Sequence, residues 1–481
     1  MTPPGGQKPR RDNGSAKSRT NSAQRGYRGA RGVAYDLLHK VAAEDVYANL
    51  VWPHMLTEAK LTDRDAAFAT ELAYGTLRWR GLYDAVLEQC VDGGVNRIDP
   101  RVRDVLRLGV HQLLTLKTPP HAAVAETVAL ARQVAGDPPA GLVNAVLRRV
   151  SAGGDLDYWR SVVAPGDTSA DLSIAYSHPR WIVTAFKEAL AAHPPVSDAT
   201  SDSGIKNLLQ ADNEPARPVL VARPGLLEQR DLMDFAHVEP GRWSPLAGVL
   251  TQGRPADVIA IRQGRAGVQD EGSQLIALAL ANAPLAGSGT DETWVDLAAG
   301  PGGKAAILVG LAQQRGAVVT AVEPREHRAQ LVRETLARFS PQSYRVLVAD
   351  GRDAIAPMSA DRVLLDSPCT GLGALRRRPE ARWRRTPADL ATLGPLQREL
   401  LAAAVDMVRP GGVVGYSTCS PHLVETDQVI ADLCRARPDV ELIDARPLFP
   451  GVPDLGDGPA VRLWPHVHGT DGMYFALLRR T

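Results

Sequence analysis

The sequence is poor in cysteine and has no long hydrophobic run. Four cysteines among 481 residues, with no Cys-x-x-Cys pair, argue against a disulfide framework and against zinc-ligand spacing, so no metal is expected. No stretch approaches the roughly 18 consecutive apolar residues of a membrane-spanning helix, and no membrane partner is expected. The N-terminus lacks an apolar signal core, which predicts no secretory leader. Reduced thiols without a leader fit a cytoplasmic location. The net charge is only +1, so the overall balance predicts no polyanion partner. What is present is ordinary for a globular protein: 44% hydrophobic and 23% charged residues. The length predicts several domains.

The charge distribution says more than its sum. Lys8, Arg10, Arg11, Lys17, Arg19, Arg25, Arg28 and Arg31 face only Asp12 over the first 31 residues. This Gly/Pro/Ser-rich stretch has almost no apolar residues, so residues 1–27 read as a disordered basic tail. From about Tyr27 to Val150, apolar residues recur at three and four, as amphipathic helices require. Pro53, Pro100 and Pro119-Pro120 punctuate that pattern. An all-helical domain is placed over 28–160, with the stretch 151–170 as its connector. Residues 171–290 read as a small α+β domain with one helix near 182–191 and one strand at 218–223. From 291 to 481, strand-like runs alternate with helical ones. The strands are expected at 294–297, 318–323, 345–350, 362–366, 413–418 and 474–478. That alternation predicts a mostly parallel, doubly wound α/β sheet with its ligands at the strand carboxyl ends.

Three ligands compete for the loop Ala298-Ala299-Gly300-Pro301-Gly302-Gly303-Lys304, which follows the first of these strands. A phosphate-binding P-loop needs Gly where Ala298 stands and a hydroxyl where Ala305 stands. A dinucleotide loop needs a Gly-x-G-x-x-Gly spacing that is not supplied. S-adenosylmethionine, which has no phosphate, remains. Glu323 ends the second strand, where its carboxylate can accept two ribose hydroxyls. Asp350 ends the third, placed for an adenine amino group, and Asp366 ends the fourth. Singly, each acid reads as a turn or cap residue; three at successive strand ends after a glycine loop point to a nucleoside.

Two cysteines also stand where loops leave strands: Cys369 in Asp366-Ser367-Pro368-Cys369 and Cys419 in Ser417-Thr418-Cys419-Ser420. Cys90 and Cys434 lie in helical patterns and read as small hydrophobes. A thiolate can add to C6 of a pyrimidine and make carbon 5 nucleophilic toward a sulfonium methyl. Asp366 is placed to stabilise the adduct. Either thiol could attack. Beyond Cys369, Leu375–Arg385 carries six arginines and Trp383, a mixture suited to phosphate contact and base stacking on single-stranded RNA.

These motifs, with Val268-Gln269-Asp270-Glu271-Gly272-Ser273-Gln274-Leu275, resemble the Sun-type RNA cytosine-C5 methyltransferases. The closest resemblance is to the branch that acts on small-subunit ribosomal RNA and carries a NusB-like helical domain first. The resemblance implies a multidomain chain: an N-terminal all-α NusB-like bundle, a small α+β middle domain and a C-terminal α/β Rossmann-like S-adenosylmethionine-dependent methyltransferase. It implies that residues 298–304, Glu323, Arg328, Asp350 and Asp366 bind S-adenosylmethionine. Cys419 would be the nucleophile, Cys369 would assist product release, and the partner would be 16S rRNA. In that family the loop usually reads Cys-Ala-Ala-Pro-Gly-Gly-Lys, so Ala298 and Gly300 are departures, and Glu323 often is Asp. Two alternatives stay open: a transfer-RNA enzyme of the same chemistry, and a non-catalytic RNA-binding assembly factor.

Overall fold

The computed structural model describes residues 29–481 except 45, 196–200 and 288. The basic tail expected at 1–27 lies outside the described residues. The first part is helical: Ala30–Ala43, Ala48–Ala59, Asp63–Arg78, Arg80–Cys90, Pro100–Leu114, Pro120–Ala135 and Pro138–Gly153 enclose one apolar core. Local chemistry sets the starts. Thr62 accepts the amide of Asp65, and Asp99 accepts that of Arg101, with Pro100 in the first turn, where a missing N–H costs nothing. Pro53 differs from expectation: it sits inside Ala48–Ala59, near enough to the start that only the bond to residue 49 is forgone. The expected connector also differs. Residues 156–163 form a helix whose Trp159 enters the same core and donates to the Val150 carbonyl at 3.0 Å.

The middle part has helices Ser169–Ala175, Arg180–Ala192 and Ser201–Ala211, then a four-stranded antiparallel sheet. Its strands are β1 (Val219–Ala222), β2 (Val238–Pro240), β3 (Ala247–Leu250) and β4 (Ala266–Val268), ordered β2-β3-β1-β4. Only β1 was expected; the other three are short, and β2 and β4 have three residues each. Helix Glu271–Asn282 then docks this sheet onto the last part. The Glu271 carboxylate accepts the amides of Arg242, Trp243 and Ser244, while Leu275, Ile276 and Leu280 enter the core of the large sheet.

The large sheet contains β5 (Thr293–Asp296), β6 (Val318–Val322), β7 (Tyr344–Leu347), β8 (Ala360–Asp366), β9 (Val408–Thr418), β10 (Val440–Ile443), β11 (Val461–Leu463) and β12 (Met473–Arg480). The order is β10-β12-β9-β8-β5-β6-β7, with β11 beside β12. Pairs among β5 to β9 are parallel, and β12 runs antiparallel to β9. Alternate residues feed two cores: Trp294 and Leu364 one, Val295, Val363 and Leu365 the other. A sheet covered on both faces needs this continuous apolar run. The chain reverses direction across the sheet at β5, so a crevice opens at the carboxyl ends of β5 and its neighbours.

Candidate active site

The loop after β5 leads into helix Gly303–Gln314, whose second residue is Lys304. Lys304 Nζ lies 2.8 Å from Asp366 Oδ2, and Ser417 Oγ donates to Asp366 Oδ1 at 3.0 Å. Burial opposes the lysine charge, but the Asp366 carboxylate more than offsets it and holds the ammonium protonated. Glu323 follows β6 and is almost wholly buried. Its Oε1 accepts the Arg325 amide at 3.1 Å, and Arg328 Nε stands 3.5 Å from Oε2. Arg328 also donates to the Gly300 carbonyl at 2.5 Å. Gly300 allows this approach: a Cβ there would stand 2.3 Å from Glu323 Oε2. Asp350 behaves differently. It follows β7 and is half exposed. Its hydrogen bonds run to Arg352, which also pairs with Glu399 at 2.7 Å. The Arg352 hydrogen bonds hold its carboxyl well below the usual range. None of these contacts reaches the loop.

Asp296, the last residue of β5, was not singled out from the sequence. It is buried, and neither carboxylate oxygen has a hydrogen-bond partner. Burial, then the charge of Asp366, pushes its carboxyl up to about 7. An unpartnered carboxyl beside the glycine loop, with Lys304 and Glu323 near it, suits a cationic nucleoside cofactor. An acid closing an apolar strand was the available signal.

The two thiols come together. Asp366 of β8 is in register with Ser417 of β9, so the loops leaving these strands are neighbours, and Cys369 Sγ lies 3.5 Å from Cys419 Sγ. The two thiols are shifted in opposite directions. The hydrogen bond from Cys369 lowers the Cys419 thiol, helped by the charges of Arg378 and Lys304 against burial and Asp366. The same bond, then burial, pushes Cys369 well up. Of the two thiols, Cys419 is the one shifted toward the thiolate and Cys369 the one shifted away from it. Cys90 is buried in the helical core, and Cys434 packs against the sheet.

A second group missed by sequence reading ties both loops. Glu425, fully buried, accepts the Thr370 amide at 2.8 Å and the Thr370 hydroxyl, and Gln397 donates to both Glu425 at 3.2 Å and the Pro368 carbonyl at 2.8 Å. Tyr416 donates to the Glu425 carbonyl at 2.7 Å. Gly373 closes the loop from the other side. Its amide donates to the Cys419 carbonyl at 2.9 Å, and a Cβ there would stand 1.9 Å from the Gly472 carbonyl.

The arginine-rich segment corrects the expectation of an open RNA platform. Arg376 and Arg377 pair with the buried Asp270 and Asp471. Arg382 is fully buried and donates to Asn213 and to the carbonyls of Arg78, Ser177 and Asp212. Arg384 reaches the Val41 and Val46 carbonyls, and Arg385 that of Thr370. Trp383 packs on Gly81 and under Arg80, 5.6 Å from its ring centre. Arginine forks here join domains. Among the described residues no cluster of His, Cys, Asp or Glu could hold a metal ion, and no helix is long and apolar enough to cross a membrane.

Comparison with known proteins matches residues 285–479 to the family model "16S rRNA methyltransferase RsmB/F" and residues 28–152 to the NusB family. A Mycobacterium tuberculosis protein named provisionally as a methyltransferase is 49% identical over 455 residues, covering 94% of this chain and 96% of its own. The ribosomal RNA small subunit methyltransferase B of Erwinia tasmaniensis is 30% identical over 462 residues, covering 93% of this chain and 98% of its own. Among solved structures, PH0851 superposes with a TM-score of 0.75 at 22% identity, over 94% of this chain and 99% of its own.

Proposed function

The chain belongs to the RsmB/F family of S-adenosylmethionine-dependent ribosomal RNA methyltransferases, and on that premise we propose that it methylates carbon 5 of a cytosine in 16S rRNA through a covalent Cys419 adduct. The observation that carries this reading is the thiol pair 3.5 Å apart beside the Lys304–Asp366 bridge. S-adenosylmethionine supplies an electrophilic methyl group when bound. The loop Ala298–Lys304, Glu323, Arg328 and Asp366 are the residues that would hold it. Asp350, turned to Arg352, would have to release that partner to contribute. The unpartnered Asp296 carboxyl fits the positive charge of the cofactor.

Cys419, the more acidic thiol, forms the S–C6 bond, and the displaced π electrons make carbon 5 nucleophilic. Asp366, held by Lys304 and Ser417, accepts the exocyclic amine and orients the ring. After methylation a base removes the C5 proton, the S–C6 bond breaks, and Cys419 leaves as thiolate. Cys369, within hydrogen-bond reach of the departing sulfur, stabilises it and assists release.

Labelled S-adenosylmethionine with unmodified 16S rRNA or transfer RNA, followed by nucleoside analysis, tests the assignment. 5-Methylcytidine in 16S rRNA is expected. Label in transfer RNA alone, or in another nucleoside, overturns it. Cys419→Ala should abolish transfer without a covalent complex, and Cys369→Ala should accumulate a denaturation-resistant protein–RNA complex. An adduct formed by Cys419→Ala reverses the roles.

A further inference from the structure

Five of the six arginines in Leu375–Arg385 are held by carboxylates or backbone carbonyls. Arg378 is different. It is exposed, and its guanidinium, unlike its backbone amide, which bonds the Ala374 carbonyl, forms no ion pair or hydrogen bond among the described residues. Its guanidinium lies 5.4 Å from the centre of the Tyr47 ring, which Arg384 also approaches at 5.0 Å. Tyr47 stands just before helix Ala48–Ala59 of the NusB-matching part, half-buried against the cluster that contains Leu372 and Leu375. A flexible cation on an aromatic face loses less freedom when it binds, and it keeps its planar N–H fork presented. The same cation is near enough to Cys419 to favour its thiolate. A guanidinium without a direct ion pair beside the thiol crevice, at the seam of two domains, matches a phosphate diester. A base reached by a thiol must be unstacked, so the flanking backbone is single-stranded there.

We propose that Arg378, stacked on Tyr47, binds the RNA phosphate next to the methylated nucleotide, so that the helical part and the thiol crevice grip one backbone. The proposal rests on the RNA methyltransferase assignment, and it does not depend on which base carbon is methylated.

The test is binding of an unmodified single-stranded 16S fragment to the full chain across a salt series. Removing one phosphate contact from a single strand lowers the log–log salt slope by about 0.7, so Arg378→Ala should show that drop while S-adenosylmethionine affinity is unchanged. Arg378→Lys should keep the slope and lose part of the affinity. Tyr47→Ala should weaken binding in the wild-type background and lower the salt slope no further beside Arg378→Ala. A neutral methylphosphonate next to the target should weaken wild type and leave Arg378→Ala unchanged. An unaltered slope in Arg378→Ala overturns the site, as does an equal loss of S-adenosylmethionine binding. These outcomes separate from the cytosine reading: wild type that makes no 5-methylcytidine overturns that reading, while the slope comparison still decides this one.

Discussion

Gly300 and Glu323 are sized to each other. The missing side chain at 300 leaves room for a carboxylate one methylene longer than aspartate, and a methyl group there would stand 2.3 Å from Glu323 Oε2 and 3.0 Å from Arg328 Nε. Glu323 cannot withdraw freely, because its other oxygen holds the Arg325 amide. Overpacking a tight site costs about 1–3 kcal/mol, so Gly300→Ala should weaken S-adenosylmethionine binding by about tenfold or more, read by calorimetry without RNA. Glu323→Asp frees the space, and the double variant should bind more tightly than Gly300→Ala alone. Additive losses would show that the two residues are independent. Sequence reading found both residues singly, since strand ends and glycine loops are local signals. It took Gly300 as a neutral departure, because nothing in the chain order says that residues 300 and 323 touch. Asp296 escaped for a related reason: an acid at a strand end is ordinary until burial leaves it unpartnered.

The two thiol loops show what one element contributes to another. That both thiols follow strands of one sheet was legible, because the apolar runs at 362–366 and 413–418 read as strands; that these two strands are neighbours was not, since strand order is not written in chain order. Strands β10 and β11 were not legible. Four and three residues, half-buried or paired only to β12, leave too little periodicity to separate from loop. Nor was Glu425, which reaches the Cys369 loop from the turn that follows Cys419. Its charge adds to the Cys419 bond and burial in raising Cys369. Glu425→Gln keeps an acceptor for the Thr370 amide and removes the charge, so Cys369 should titrate at lower pH than in wild type, followed by alkylation rate against pH in a Cys419→Ser background. In the otherwise native enzyme, turnover should fall more than S-adenosylmethionine affinity. A titration that does not move would make Glu425 a packing residue only.

At the scale of the whole molecule, the segment after Cys369 is a plug. It starts at the thiol crevice and ends with Arg382 and Arg384 among backbone carbonyls of the helical and middle parts. The sequence alone suggested RNA contact for this stretch, because charge density is visible in a sequence and burial is not. Arg382 instead stands over Asp212, which is fully buried and has no hydrogen-bond partner for either oxygen. Burial pushes the Asp212 carboxyl up to about 7, with Arg382 and Arg376 opposing and Asp471 adding to the rise. His178 stands 3.6 Å away, and its own burial keeps it neutral, so the contact is no ion pair at neutral pH. The folded pKa is above the ordinary 3.8. The stabilising contribution of the protonated carboxyl is therefore complete below that value and is lost as pH rises through about 7. Asp212→Asn cannot ionise and should remove this slope. Between about pH 5 and about pH 8, its stability relative to wild type should rise by on the order of 3 kcal/mol in urea unfolding. Parallel pH profiles for the two proteins would show that Asp212 is ionised throughout, with Arg382 neutralising it completely.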